Sequence, residues 1–456
     1  MPFFAPVLIL MAIGWRDSTH GPSMREWAGD GWVAVLSGFA LLWPVVAGWP
    51  AHLWAARAMD RRGSLGAATV SHRIQSLQGV LVACGGVCSI VLFGLLDSVR
   101  AAAGNLVVID EVVAGAVCAF AWVLVLVQVY PIERRLWDAG AVGRLDSGRR
   151  MAGHPSLARW VWLRLRESVL PVGVPGAIVL GWWEASAPVI VWLNGLAPGL
   201  GLIERGASGT TGLSVGGSAV VYAGVAVLAA IAPRLMAVSL PTVRLKEGEV
   251  YDEVRRVCGL AHVRVPAVYI WLPTRGFANA AVMGALPFGR ALLLTESLVS
   301  ALPREELGAV IAHEAGHMRR SHVLWLVGTV MACLLCFDAA AVVWDARLGL
   351  GATLLGVGVA FGVTSQWFER QADAFAAGVV GDGRPVATTL YRVASINGSR
   401  PGRWTITHGS IRDRAERLLN GRRPFGSGAI GYGCFRLAVV GAIIGSAWVL
   451  ATRSGG

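Results

Sequence analysis

With 456 residues, 55% of them hydrophobic and only 15% charged, the chain is too apolar for an ordinary soluble protein, in which about a quarter of residues carry charge. Its apolar residues fall in long runs, the pattern of a polytopic α-helical protein in a lipid bilayer. The net charge of +12 comes mainly from loop arginines, and no RNA- or DNA-binding motif accompanies them. This excludes a nucleic-acid partner and reads as basic loops kept on the cytoplasmic side of a cell membrane.

From the N-terminus, residues 2–14 are apolar but short and interrupted by Pro6, so they form a marginal span or a re-entrant piece. Clear spans follow at about 32–51, 77–98, 106–130, 170–193 and 218–238. A two-span hairpin is predicted at 322–344 and 351–366, and a last span at about 434–451. The loops 52–76 (with Arg57, Arg61, Arg62 and Arg73), 131–169, 239–321 and 367–433 are rich in arginine, and the loops between them are not. Basic and non-basic loops therefore alternate, which threads the spans consistently and puts the polar regions 239–321 and 367–433 in the cytoplasm. The abundance of Gly, Ala, Arg and Trp suggests a bacterial source.

The seven cysteines are odd in number and sit mostly in apolar runs, so they make no disulfide framework. Cys333 and Cys336 form a CxxC inside a membrane-length segment and read as packing residues. Glu184 and Asp338 lie in apolar stretches, where a charge calls for a partner or a cavity. Tryptophans such as Trp182 and Trp183 read as interfacial belts.

The polar region opens with a charged helical stretch from Lys246 to Arg256. Strand-like segments follow at Ala267-Val-Tyr-Ile-Trp271, at 276–283 and at 290–295, and Pro303-Arg-Glu-Glu306 then starts a long helix. That helix carries His313, Glu314 and His317 in the pattern HExxH. Residues four apart share a helix face, so both imidazoles can reach one Zn²⁺, with Glu314 beside them as general base on a metal-bound water. A catalytic zinc needs a third protein ligand. On a continuous helix His322 points about 140° away from His317, which makes it a poor ligand; with Arg319 and Arg320 it reads as a membrane-interface marker. Glu369 is the better candidate, because two crossings of the hairpin return the chain to the same side. Asp373, one turn further on, can accept the free ring N–H of a zinc histidine.

Several segments together resemble the HtpX and CaaX prenyl protease family of integral-membrane zinc metallopeptidases, the metallopeptidase family numbered forty-eight. They are Asn279-Ala280 ahead of a strand, Leu298 before Pro303-Arg-Glu-Glu-Leu307, Val310-Ile-Ala-His-Glu-Ala-Gly-His317, and the ExxxD of Glu369 and Asp373. Thr407-His-Gly-Ser-Ile-Arg-Asp-Arg-Ala415 also resembles a late family segment, with Gly409 in place of its usual proline. The resemblance covers roughly 240–420 and implies a gluzincin-type catalytic domain, mainly α with a small β-sheet edge, among membrane helices. It implies one Zn²⁺ per chain on His313, His317 and Glu369. Glu314 would be the general base, and Asn279 and Ala280 would lie on the edge strand that pairs with substrate. His408 would stabilise the developing oxyanion, and Arg414 would brace Asp373 or the oxyanion site.

The expected organisation is a multi-span region at 1–238, a zinc metallopeptidase domain at 239–433 interrupted by the hairpin at 322–366, and a last span and tail at 434–456. The expected activity is hydrolysis of peptide bonds in membrane-associated protein or peptide substrates at the cytoplasmic face. Two other readings are a membrane metalloprotease that signals by cleaving a repressor and a non-catalytic zinc-binding scaffold.

Overall fold

Long apolar runs whose backbone can be satisfied only from within give helices, and helices dominate the computed structural model. It describes residues 4–19, 23–62, 65–139, 154–205, 211–213, 215–265, 267–273, 277–284, 290–344, 350–421 and 429–453. Two compact units emerge, Met1–Leu196 with Val220–Leu228, and Ala197–Ala219 with Ala229–Gly456.

The first unit contains α1 (Phe4–Thr19), α2 (Asp30–Arg62), α3 (Leu65–Cys88), α4 (Leu95–Ala103), α5 (Ile109–Ala139), α6 (Leu157–Ser168) and α7 (Leu170–Leu196). Helices α2, α3 and α5 pack together around Leu41, Val45, Val82, Ala114, Ala121 and Val125. Glu184 has a partner after all: it accepts the Val108 N–H at 2.7 Å and lies 3.5 Å from Arg100. The Trp182 indole N–H donates to the Val221 carbonyl at 2.9 Å. The Asp338 side chain lies outside the described residues.

Among the described residues, five helical segments are long and apolar enough to cross a membrane: Asp30–Arg61, Gly66–Phe93, Ile109–Asp138, Leu170–Leu196 and Gly431–Val449. At 16 residues α1 reaches about 24 Å, short of the roughly 30 Å hydrocarbon layer. The expected spans at 218–238 and 351–366 fall on α8 (Val215–Ser239) and on α13 (Leu350–Val380), whose side chains are described only in part.

In the second unit a two-stranded ribbon, β1 (Ile203–Arg205) with β2 (Thr211–Leu213), precedes a four-stranded sheet. That sheet comprises β3 (Thr242–Leu245), β4 (Ala267–Trp271), β5 (Ala280–Met283) and β6 (Ala291–Thr295), in the order β3-β4-β6-β5. Strand β3 carried no clear sequence signal. Strand β6 is the apolar run Ala-Leu-Leu-Leu-Thr because it is interior and covered on both faces. Leu292 and Leu294 join the helical core with Val254, Val257 and Ile311, while Ala291 and Leu293 meet Trp271 and Met283 on the other face.

Around the sheet lie α9 (Glu249–Leu260), α10 (Glu296–Ala301), α11 (Arg304–Arg319), α12 (His322–Trp344), α14 (Gly383–Ile396), α15 (Ile411–Leu419) and α16 (Ala429–Arg453), together with α13. Helices α12 and α13 pack on each other, and α16 packs along α12.

Candidate metal centre and cleft

Helix α11 starts after Pro303 and carries Glu305 and Glu306 in its first turn, where carboxylates meet the positive end of the helix dipole. Its core face, with Leu307, Ile311, Ala315 and Met318, is buried, and the adjoining face presents His313 and His317. Their Nε2 atoms lie 3.2 Å apart. Helix α13 comes very close at Gly316, where an added Cβ would sit 3.1 Å from the Ala372 Cα. This approach brings Glu369 between the imidazoles, with Oε2 3.6 Å from His313 Nε2 and Oε1 3.6 Å from His317 Nε2.

The two 3.6 Å contacts end on different oxygens of Glu369, yet one ligand atom from each of the three residues lies within 4.8 Å of the others, a spacing that one small ion can bridge. Two imidazole nitrogens and one carboxylate oxygen also make a donor set for catalytic zinc, with a fourth position left open. The fourth side faces a cleft of about 460 Å³, bounded by β5 and by Val310, Val386 and Leu390 on its apolar wall.

Asp373 lies one turn beyond Glu369, with Oδ1 2.9 Å from His313 Nδ1 but off the direction of the ring N–H. Arg414, from α15, grips Asp373 through Nε and Nη2 at 2.8 and 2.7 Å and also reaches Glu369 Oε2 at 2.8 Å. Arg414 thus meets Asp373, one of the two partners expected for it. His408 stands at the cleft mouth, its side chain 62% exposed, with Nδ1 3.1 Å from Glu369 Oε1.

Burial disfavours charge throughout this cluster, and the ion pairs decide where charge survives. Burial opposes ionisation of Glu369 and Asp373, yet Arg414 and His313 hold both below the usual carboxylate range, Asp373 at about 2. At His313 the two carboxylates outweigh burial and lift its pKa to about 10, whereas burial pushes His317 down to about 4. Burial raises Glu314, and the nearby His313 offsets part of that rise.

Strand β5 is the sheet edge. The Thr295 N–H donates to the Asn279 carbonyl at 3.0 Å, and the Asn279 N–H donates to Thr295 Oγ1 at 2.8 Å. With Ala281 opposite Leu293 and Met283 opposite Ala291, antiparallel alternation turns the backbone groups of Ala280 and Val282 away from the sheet. The Val282 backbone N–H favours the ionised Glu314 and so works against the effect of burial. Asn279 itself is exposed on the cleft rim. Asn397, not singled out from the sequence, holds this edge by exchanging two 2.8 Å hydrogen bonds with the backbone of Ala278.

His322 departs from its reading as an interface marker. It is 2% exposed, and its Nδ1 lies 2.9 Å from His317 Nδ1. Gly409 adopts φ +67°, which a proline ring cannot, and its N–H donates to the Thr405 carbonyl at 2.9 Å. The replacement of proline thus belongs to a different, closed turn that carries His408.

Residues 244–421 match the family described as Peptidase family M48. A protease HtpX homolog of Desulfatibacillum aliphaticivorans is 29% identical over 175 residues, 34% of this chain and 55% of that protein. One of Nostoc punctiforme is 31% identical over 174 residues, 33% of this chain and 60% of that protein. The chain thus spans somewhat over half the length of these relatives. A crystal structure of S. mikatae Ste24p aligns with 85% of this chain and 98% of its own at a TM-score of 0.36 and 13% identity. The HExxH helix, the ExxxD helix and the late arginine all fall inside the segment that matches this family.

Proposed function

We propose that the chain is a membrane-embedded, zinc-dependent endopeptidase that cleaves protein or peptide substrates at the cytoplasmic face. The observation that carries this is the triangle of His313, His317 and Glu369 donors beside Glu314 and an edge strand. Residues 239–433 form the peptidase domain, and the hairpin at 322–366 passes through the bilayer within it. The arginine-rich loops 239–321 and 367–433 support the cytoplasmic assignment.

His313, His317 and Glu369 hold one zinc, with Asp373 orienting His313 and Arg414 keeping both carboxylates ionised. A zinc held by these residues would supply Lewis-acid polarisation of the scissile carbonyl and a water acidified to a pKa of about 7. The extended substrate lies antiparallel to β5, its backbone pairing with the outward N–H and C=O of Ala280 beside Asn279. Glu314 takes the proton of the attacking water and passes it to the leaving amine. His408, exposed at the cleft mouth, donates to the developing oxyanion.

The test is Glu314→Gln in the detergent-purified full chain, assayed on labelled casein at matched zinc content. Loss of general-base catalysis lowers turnover by about 10²–10⁴-fold. Unchanged proteolysis by a zinc-loaded Glu314→Gln protein would overturn the assignment.

A further inference from the structure

An uninterrupted helix would carry His322 well away from His317. Here the helix breaks: Ser321 adopts φ +53°, and α11 and α12 meet at a 49° bend. The break swings the first residue of α12 back under the HExxH turn. There the His322 ring stacks on Phe368, at 4.2 Å between centroids and 4° between planes. Its Nδ1 lies 2.9 Å from His317 Nδ1, and its Nε2 lies 3.3 Å from Gln371 Oε1. Gln371 is 1% exposed, and its Oε1 also accepts from Arg320 Nη1 at 2.8 Å.

Donor and acceptor roles follow from this chain of contacts. If His317 Nε2 faces the metal, as the proposed function requires, its Nδ1 carries the proton and donates. His322 Nδ1 must then be a bare acceptor, so the His322 proton sits on Nε2 and is donated to Gln371 Oε1. Arg320 fixes the orientation of the Gln371 amide, since an arginine can meet only an acceptor. The two HExxH histidines thus have different partners behind them, a carboxylate behind His313 and a neutral imidazole behind His317. Tyr432, in the first turns of α16, donates to the Arg320 carbonyl and packs against His322 at 6.2 Å between centroids, tying a membrane-spanning helix to this support.

We propose that His322 is a positioning residue for the metal centre: it accepts the Nδ1–H of His317, and Gln371 and Arg320 hold it in the accepting tautomer. The inference rests on the zinc reading and concerns how His317 is held, not which residues bind the ion.

The experiment measures zinc affinity by competition with a chromophoric chelator, and the visible spectrum of the cobalt-substituted protein, in full-length wild type, His322→Phe, His322→Asn and Gln371→Leu. Phenylalanine keeps the stack on Phe368 and removes the acceptor; asparagine restores an acceptor oxygen. Loss of such a partner weakens metal binding by about 10–100-fold. The expected result is a loss of that size with shifted cobalt bands in His322→Phe, substantial recovery in His322→Asn, and a smaller loss in Gln371→Leu. Wild-type affinity and spectrum in His322→Phe would overturn the proposal. Equal losses in the phenylalanine and asparagine variants would also overturn it, since restoring an acceptor oxygen would then recover nothing. If His322→Phe does not fold, Gln371→Leu decides: unchanged zinc affinity there refutes the arrangement. A wild-type protein that binds no zinc would instead overturn the zinc reading itself.

Discussion

Arg414 and Asp373 form a buried pair joined by two hydrogen bonds of 2.8 and 2.7 Å, and the same guanidinium reaches Glu369. Removing the arginine leaves two buried carboxylates facing each other, a change that typically costs about 3–5 kcal/mol. Arg414→Met is expected to lower the thermal midpoint clearly, measured by fluorescence unfolding. The pair also sets an acid limit. Asp373 is held at about 2 in the fold, against about 3.9 in an unfolded chain, so its contribution is complete above pH 4. It is lost as pH falls from about 4 to about 2.

The approach of α11 and α13 depends on a bare backbone at Gly316, where a Cβ would sit 3.1 Å from the Ala372 Cα. Gly316→Val would force the helices apart, and overpacking of this kind costs about 1–3 kcal/mol. Because the same contact aligns Glu369 with the histidines, zinc binding should weaken along with stability. Chelator competition and thermal unfolding on one preparation check both.

On the edge strand, adjacent positions should respond in opposite ways to proline. The Ala280 N–H points outward, so Ala280→Pro removes a donor offered to substrate without removing a sheet bond. It should fold, bind zinc and lose peptidase activity. The Ala281 N–H points into the sheet, so Ala281→Pro also loses a ladder hydrogen bond, at about 0.5–1.5 kcal/mol, and should be the less stable protein. Circular dichroism melts with casein assays separate the two.

Gly409→Pro tests the turn beneath His408. Proline cannot take φ +67° and has no N–H for the Thr405 carbonyl. Activity should fall with zinc content unchanged, since no metal donor sits in this turn.

Much of the centre was legible because its signals are local. His313 and His317 share a face through the helical repeat, and Glu369 and Asp373 repeat that spacing further along the chain. The sheet edge at 280–283 was visible as a short apolar run. His322 was misread because its angle was counted along an unbroken helix, and the left-handed turn at Ser321, a residue with no special liking for positive φ, left no mark in the sequence. Gln371 and Asn397 were missed for a related reason: their partners, His322 and Ala278, are distant in the chain, and an isolated amide looks the same whether it faces solvent or closes a network. Thr242–Leu245 went unread as a strand because its alternation is too short to stand out beside the charged helix that follows.

The most direct test of the central claim is the zinc content of detergent-purified wild type, His313→Ala and Glu369→Ala. One zinc per wild-type chain, lost in both variants, is the predicted result, because each substitution removes one corner of the donor triangle. Zinc retained at full stoichiometry by Glu369→Ala would contradict it and move the third donor elsewhere.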